Sequence, residues 1–208
     1  MIPLGALHTL RDITNATNQR TIITAHVPAS AVGHSAWVIG FERHEAVASL
    51  LMAANLNSLP LDWAARFKVP GVHASSFILK QLPALTPDAY LTGRRPDGET
   101  YAALVVPRAL ELVYVSREMQ AFAQALGCQG PPFRWDGARR HVLQSELDAV
   151  YACMYALDRD DLAWILDAGA LSVSFPGLKQ QEMQAFGEYR TRRLVLDAYD
   201  CLARYGTL

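Results

Sequence analysis

The sequence predicts an α+β protein, with a small β-sheet and helices in the N-terminal half and a mainly helical C-terminal half. Three observations carry this reading. Two β-branched, apolar runs, residues 21–27 (TIITAHV) and 35–41 (SAWVIGF), stand near the start, set apart by Pro28 and Gly33. From Glu45 onward, apolar residues recur at three- and four-residue steps. At 208 residues, 51% hydrophobic and 19% charged, the chain is long and apolar enough to bury a real core.

The elements follow in order. Val47, Leu50, Leu51, Ala54 and Leu56 mark one face of a first helix beginning near Glu45. Ser58 is placed to cap a second, short helix carrying Leu61, Ala64, Ala65 and Phe67, with Pro60 tolerated in its first turn. Pro70-Gly71 stops it. A short capped segment then leads into a Leu-Pro-x-Leu strand at 82–85 and a Thr-Pro stop. Residues 86–99 hold two prolines and two glycines, which predicts a linker. The expected division is an α/β part over 1–90, a linker over 91–99 and a helical part over 100–208. In the helical part Pro107 is expected to open one helix, and Ser116 to cap another that ends at Gly127. Asp136 caps a long helix to about Leu157, and Asp158 caps the next. After an irregular stretch from Gly169 to Gly177, a last helix runs from about Lys179 to Arg204. On it Met183, Gly187, Leu194, Ala198, Cys201 and Tyr205 form a stripe that includes Arg190, which needs a partner: a carboxylate such as Glu146 or Asp148, the favoured reading, or an anion from outside.

Composition narrows the function. The net charge is -1; residues 1–100 carry eight Lys/Arg against seven Asp/Glu, which leaves eleven of 19 and thirteen of 20 for the remainder. A global basic field is therefore excluded, and any nucleic-acid contact must be local. Cys128, Cys153 and Cys201 are too dispersed for a clustered metal site. Their odd number argues against a disulfide framework, so a reducing cytoplasm is expected. The opening MIPLGALHTLRD has no signal-peptide pattern, and no apolar run is long enough for a membrane span.

Four segments in order, 11–21 (RDITNATNQRT), 56–83 (LNSLPLDWAARFKVPGVHASSFILKQLP), 130–140 (GPPFRWDGARR) with 146–151 (ELDAVY), and 186–200 (FGEYRTRRLVLDAYD), resemble one family. They resemble the C-terminal target-recognition region of large adenine-N6 DNA methyltransferases of type II restriction–modification and BREX- or DISARM-like phage-defence systems. One departure is the AGALSVS insertion between Asp167 and Phe175. The resemblance implies double-stranded DNA and a methylase domain or subunit as partners, and S-adenosylmethionine as cofactor of the parent enzyme.

The residues themselves predict no catalyst in this chain, no cofactor and no metal site. Adenine-N6 methylation requires an Asn/Asp/Ser-Pro-Pro-aromatic motif that hydrogen-bonds and stacks on the flipped base. The only Pro-Pro here follows Gly130, which offers no side-chain acceptor, and a Gly-rich cofactor turn is missing. Asp160-Asp161 reads as first-turn acid on a helix dipole. For DNA contact, Asn15, Asn18 and Arg20 have side chains that can pair base edges, or else shape a turn. Lys68 and His73, around Pro70-Gly71, suit a phosphate. Arg192 and Arg193 leave the last helix's seam and are free to meet DNA or the parent enzyme. The rival reading is a helical scaffold that docks the methylase to other subunits.

Overall fold

A computed structural model of the chain describes residues 5–41, 46–167 and 174–208. The α+β expectation holds: a three-stranded antiparallel sheet precedes a helical remainder. The strands are β1 (Ala6–Arg11), β2 (Thr24–Pro28) and β3 (Ala36–Ile39), in the order β2-β1-β3. The sequence reading finds the two outer strands and misses the central one. Its residues His8, Thr9 and Leu10 are all buried, so β1 lacks the alternation that marks a half-exposed strand.

The helices are α1 (Ala46–Leu56), α2 (Leu59–Arg66), α3 (Ser76–Leu79), α4 (Pro87–Leu91) and α5 (Tyr101–Val113). A 3-10 turn then leads into α6 (Gln120–Ala125), followed by α7 (Gly137–Met154), α8 (Arg159–Leu166), α9 (Pro176–Phe186) and α10 (Arg190–Tyr205). Asp136 accepts from the Arg139 amide to cap α7, and Asp158 forms a reciprocal capping box with Asp161 on α8.

Several expectations need correction. Leu82–Leu85 is not a strand, and the Leu85 amide instead donates to Asn55 Oδ1 at 2.9 Å. Pro107 does not open its helix: α5 starts six residues earlier, where Thr100 accepts from the Ala103 amide, and it runs through the proline. The last helix is two helices, because Gly187 adopts φ 72° and ends α9. The buried stripe of α10 is accordingly Thr191, Val195, Ala198 and Leu202, while Met183, Cys201 and Tyr205 are exposed. Arg190 gains neither expected partner, since Glu146 pairs with Arg108 and Asp148 with Arg20; its guanidinium lies over the Phe186 ring. Val47 and Phe67, expected inside, are 36% and 57% exposed. Most of the AGALSVS insertion (168–173) lies outside the described residues.

The core binds the two halves together. Leu51, Leu59 and Tyr90 share one apolar cluster with Leu147, Tyr151, Leu162 and Val195. A second cluster joins Leu50 to Tyr114 and Phe122, and a third gathers Leu10, Ile22, Leu61 and Ala74. The segment expected as a linker is tied down as well. Buried Arg95 donates to the Gly206 carbonyl at 2.7 Å and pairs with Asp97 at 3.0 Å. A Cβ on Gly206 (φ 72°) would stand 2.8 Å from the Asp97 amide nitrogen, so the end of α10 requires glycine.

On the sheet, His8 faces His26 across β1–β2 with rings stacked at 4.8 Å, and His26 packs on Phe122 at 4.6 Å. Burial lowers His8 to about 3, helped by nearby His26, and burial lowers His26 to about 4. A base whose folded pKa is depressed contributes stability above its unfolded value and loses it as pH falls toward the folded value. His8→Phe should therefore flatten the decline in urea-unfolding stability between about pH 6.5 and pH 4 relative to wild type. Parallel slopes for the two proteins would show that His8 is protonated at no cost in the fold.

Candidate functional site

The site grows from one irregular segment, residues 12–23, that enters the protein after β1 without joining a helix or sheet. Asn15 Oδ1 accepts from both the amide and the hydroxyl of Thr17 at 2.9 Å, which shapes the first bend. The Thr14 hydroxyl donates to the Thr21 carbonyl across the turn. Five further backbone groups of the bend are met by α2. Asp62 Oδ1 accepts from the amides of Thr21 (2.7 Å) and Ile22 (2.6 Å). Arg66, one turn on, donates to Asp62 Oδ2 at 3.1 Å and to the carbonyls of Ala16, Asn18 and Gln19 at 2.6, 2.7 and 3.0 Å. Its guanidinium also covers the Phe175 ring at 4.3 Å. Both side chains are essentially inaccessible, at 1% and 0% exposure.

A second pair extends this hub to α7. Arg20 donates to the Asn57 carbonyl at 3.0 Å and to Asp148 at 3.1 Å. The other Asp148 oxygen accepts from the Leu59 amide at 2.7 Å, so α2 is capped from α7 rather than by Ser58, whose hydroxyl donates back to Asn55. Burial pushes both the Asp62 and Asp148 carboxyls up, and Arg20 pulls each of them back down. Beyond Asp148 on the same helix, His141 meets Thr191 at 2.8 Å, and Thr191 is bonded through its amide and hydroxyl to Glu182. Burial lowers His141 against the pull of Glu182.

These contacts assign the residues singled out from sequence. Asn15 and Asn18 build the bend, and Arg20 is held by Asp148. His73 Nδ1 lies 2.9 Å from Asp12, whose carboxyl is lowered by Trp37 and His73. That pair flanks a two-way backbone link between 12–14 and 72–74. Lys68 is exposed just beyond α2. Arg193 pairs with Glu188 and Asp197, while Arg192 is half-buried and its Nε has no hydrogen-bond partner. Among the described residues, no side chain of these seven bonds to the side chain of another, so they do not form one cluster. The 130–133 turn is structural: Gly130 accepts from the Tyr114 hydroxyl, and the Phe133 amide donates to the Tyr114 carbonyl.

Sequence reasoning missed what lies beside the hub, a cleft of about 730 Å³ between β2, α1, α5, α7 and α9. Arg20, Asp148, His26 and Ser145 line it, and Trp135, 66% exposed, stands at its edge with Arg140 stacked 3.8 Å from its ring centre. No local motif announces these residues, which come from the bend, β2, the loop before α7 and α7 itself. The Asp62–Arg66 spacing of i, i+4 beside buried Leu61 and Ala65 was the one legible signal of the hub. Among the described residues, no group of His, Cys, Asp and Glu is arranged to hold a metal ion, and no helix is long and apolar enough to cross a membrane. Compared with protein families, curated proteins and solved structures, the chain matches none.

Removing one partner from a buried, fully bonded pair strands the other charge, at a cost of about 3–5 kcal/mol. Asp62→Ala and Arg66→Leu should each lose about that much by urea unfolding, while exposed Lys68→Ala should stay within about 0.5 kcal/mol of wild type. An Asp62→Ala loss below about 1 kcal/mol would mean that the bend does not depend on the hub.

Proposed function

We propose that this chain is a DNA target-recognition and support module of an adenine-N6 DNA methyltransferase from a restriction–modification or phage-defence system, with the catalytic domain and its S-adenosylmethionine site on a separate methylase part. The observation that carries this reading is convergence. The sequence segments that resemble such modules pack on one another: Asn18, Arg20 and Thr21 of the bend bond Arg66, Asp148 and Asp62, Asp148 also holds the Leu59 amide, and Val195 of α10 shares one apolar cluster with Leu59, Leu147 and Tyr151. Ordered motifs that pack on one another support a resemblance of the whole folded unit rather than of scattered strings. In this reading the motif residues hold the framework. Duplex DNA is then met by exposed side chains such as Lys68 and by the half-buried Arg192.

A second reading, a helical scaffold docking the methylase to other subunits, is favoured by a specific observation. Many of the cations are already paired: Arg20 and Arg95 internally, and Arg108, Arg139, Arg159, Lys179 and Arg193 with carboxylates nearer the surface. Paired charge leaves little for phosphate. An anisotropy titration with duplex DNA at low and moderate salt, with and without the methylase part, separates the two. The recognition reading expects binding that falls steeply with salt, and Lys68→Ala should reduce the log–log salt slope by about 1. No duplex binding at low salt, alone or with the methylase part, leaves the scaffold.

A further inference from the structure

Two guanidinium groups at the mouth of the cleft lie over aromatic rings and, among the described residues, have no carboxylate partner. Arg140, in the first turn of α7, stands 3.8 Å from the centre of the Trp135 ring. Arg190, at the start of α10, stands 5.3 Å from the centre of the Phe186 ring. Both rings line the cleft and both face solvent, Trp135 at 66% and Phe186 at 53% exposure. His141, next to Arg140, lies 6.4 Å from the same Phe186 ring, which makes the two pairs neighbours.

The free N–H groups are within reach of a ligand. Arg140 spends one nitrogen on the Leu112 carbonyl at 2.8 Å, and Arg190 spends none. Their unbonded nitrogens are not sealed from solvent, in contrast to Arg192 Nε. Burial lowers Arg140, with no carboxylate to raise it. The nearby carboxylates are engaged elsewhere. Asp148 holds Arg20 and the Leu59 amide, Glu182 is covered by Thr191 and His141, and Asp136 caps the Arg139 amide. Glu188, drawn down by Arg193 and then by Arg190, is bonded to Arg193. A ligand that combines an anion with a flat group satisfies both halves of such a pair: the anion takes the guanidinium N–H groups, and the flat group takes the open ring surface. A base-paired duplex offers the phosphates but keeps its base faces stacked inside. An unpaired strand offers both, repeated at every nucleotide.

We propose that the Trp135–Arg140 and Phe186–Arg190 pairs form a contact surface for an unpaired nucleic-acid strand. Bases stack on the two rings, and phosphates are held by the two guanidinium groups and by exposed Arg134 beside Trp135. This adds an unpaired strand to the duplex contact proposed above, and rests on that reading only for nucleic acid as the partner. The residues are separate from Lys68 and Arg192, so the two ideas can fail independently.

The test is fluorescence anisotropy with the full chain and three labelled probes: an oligothymidylate of about twelve nucleotides, an abasic strand of the same length, and a duplex. The oligothymidylate should bind at least about five-fold tighter than the abasic strand, and Trp135→Ala should weaken it at least about five-fold. Arg140→Ala should weaken both single strands and make the log–log salt slope shallower by about 0.7. Lys68→Ala should leave oligothymidylate binding unchanged. Should Arg140→Ala fail to fold by circular dichroism, Arg190→Ala carries the same expectation, since that side chain makes no hydrogen bond among the described residues. Equal binding of the abasic and thymidylate strands overturns the surface, as does oligothymidylate binding that Trp135→Ala leaves untouched. Duplex binding without oligothymidylate binding also overturns it, while duplex recognition stands. Oligothymidylate binding lost in Trp135→Ala, without any duplex binding at low salt, upholds the surface and removes the duplex reading. No binding of any probe at low salt overturns both.

Discussion

Everything in the N-terminal half hangs on a buried ion pair, Asp62 with Arg66, set one helical turn apart on α2. The chain between β1 and β2 bends along a half-buried path, with a single bridge at Ile13 and no helix to satisfy its backbone. Buried peptide groups must be paired somewhere. Asp62 takes the amides of Thr21 and Ile22, and Arg66 takes the carbonyls of Ala16, Asn18 and Gln19. A carboxylate supplies only acceptors and a guanidinium only donors, so the two together match a bend that exposes both kinds of group. An apolar pair in their place would fill the volume and leave the bend unpaired.

The same logic explains how the halves are joined. Asp148 lies on α7, far along the chain, yet one of its oxygens caps α2 and the other holds Arg20. Buried ion pairs contribute little net stability because desolvation offsets attraction. Their consequence here is geometric: α2, α7 and the bend are fixed in one arrangement. Around it the apolar clusters close, with Leu59 of α2 packed among residues of α7, α8 and α10. The cleft lies beside that arrangement and shares α7 and the bend with it, while β2, α1, α5 and α9 form its other walls.

Legibility varied with the range of the interaction that decides each feature. Asp136, Asp158 and the Gly127 stop act within a turn of their own helices, and the sequence exposes them. Gly187 was equally local but sat at a helical spacing that concealed the break. Thr100 rather than Pro107 starts α5, because a proline inside a packed helix costs only what neighbouring contacts can offset. The sequence pattern suggested DNA-contact chemistry for Asn15 and Arg20; in the fold one shapes a bend and the other meets Asp148, 128 residues away. A side chain's capacity to pair a base edge is identical to its capacity to pair a carbonyl, so type alone does not separate the two duties.

By itself, the sequence determined the α+β class, the outer strands, the Asp136 and Asp158 caps and the absence of a global basic field, since each depends on local pattern or composition. Tertiary structure alone decided that β1 is the central strand, that Asp148 caps α2, that Arg20 is spent internally, and that Ser145, His26 and Trp135 share one cleft. The physical reason is desolvation. Whether a charged or polar group faces solvent, a ligand or a distant partner is set by what the fold removes from water around it, and that is a property of the packed chain.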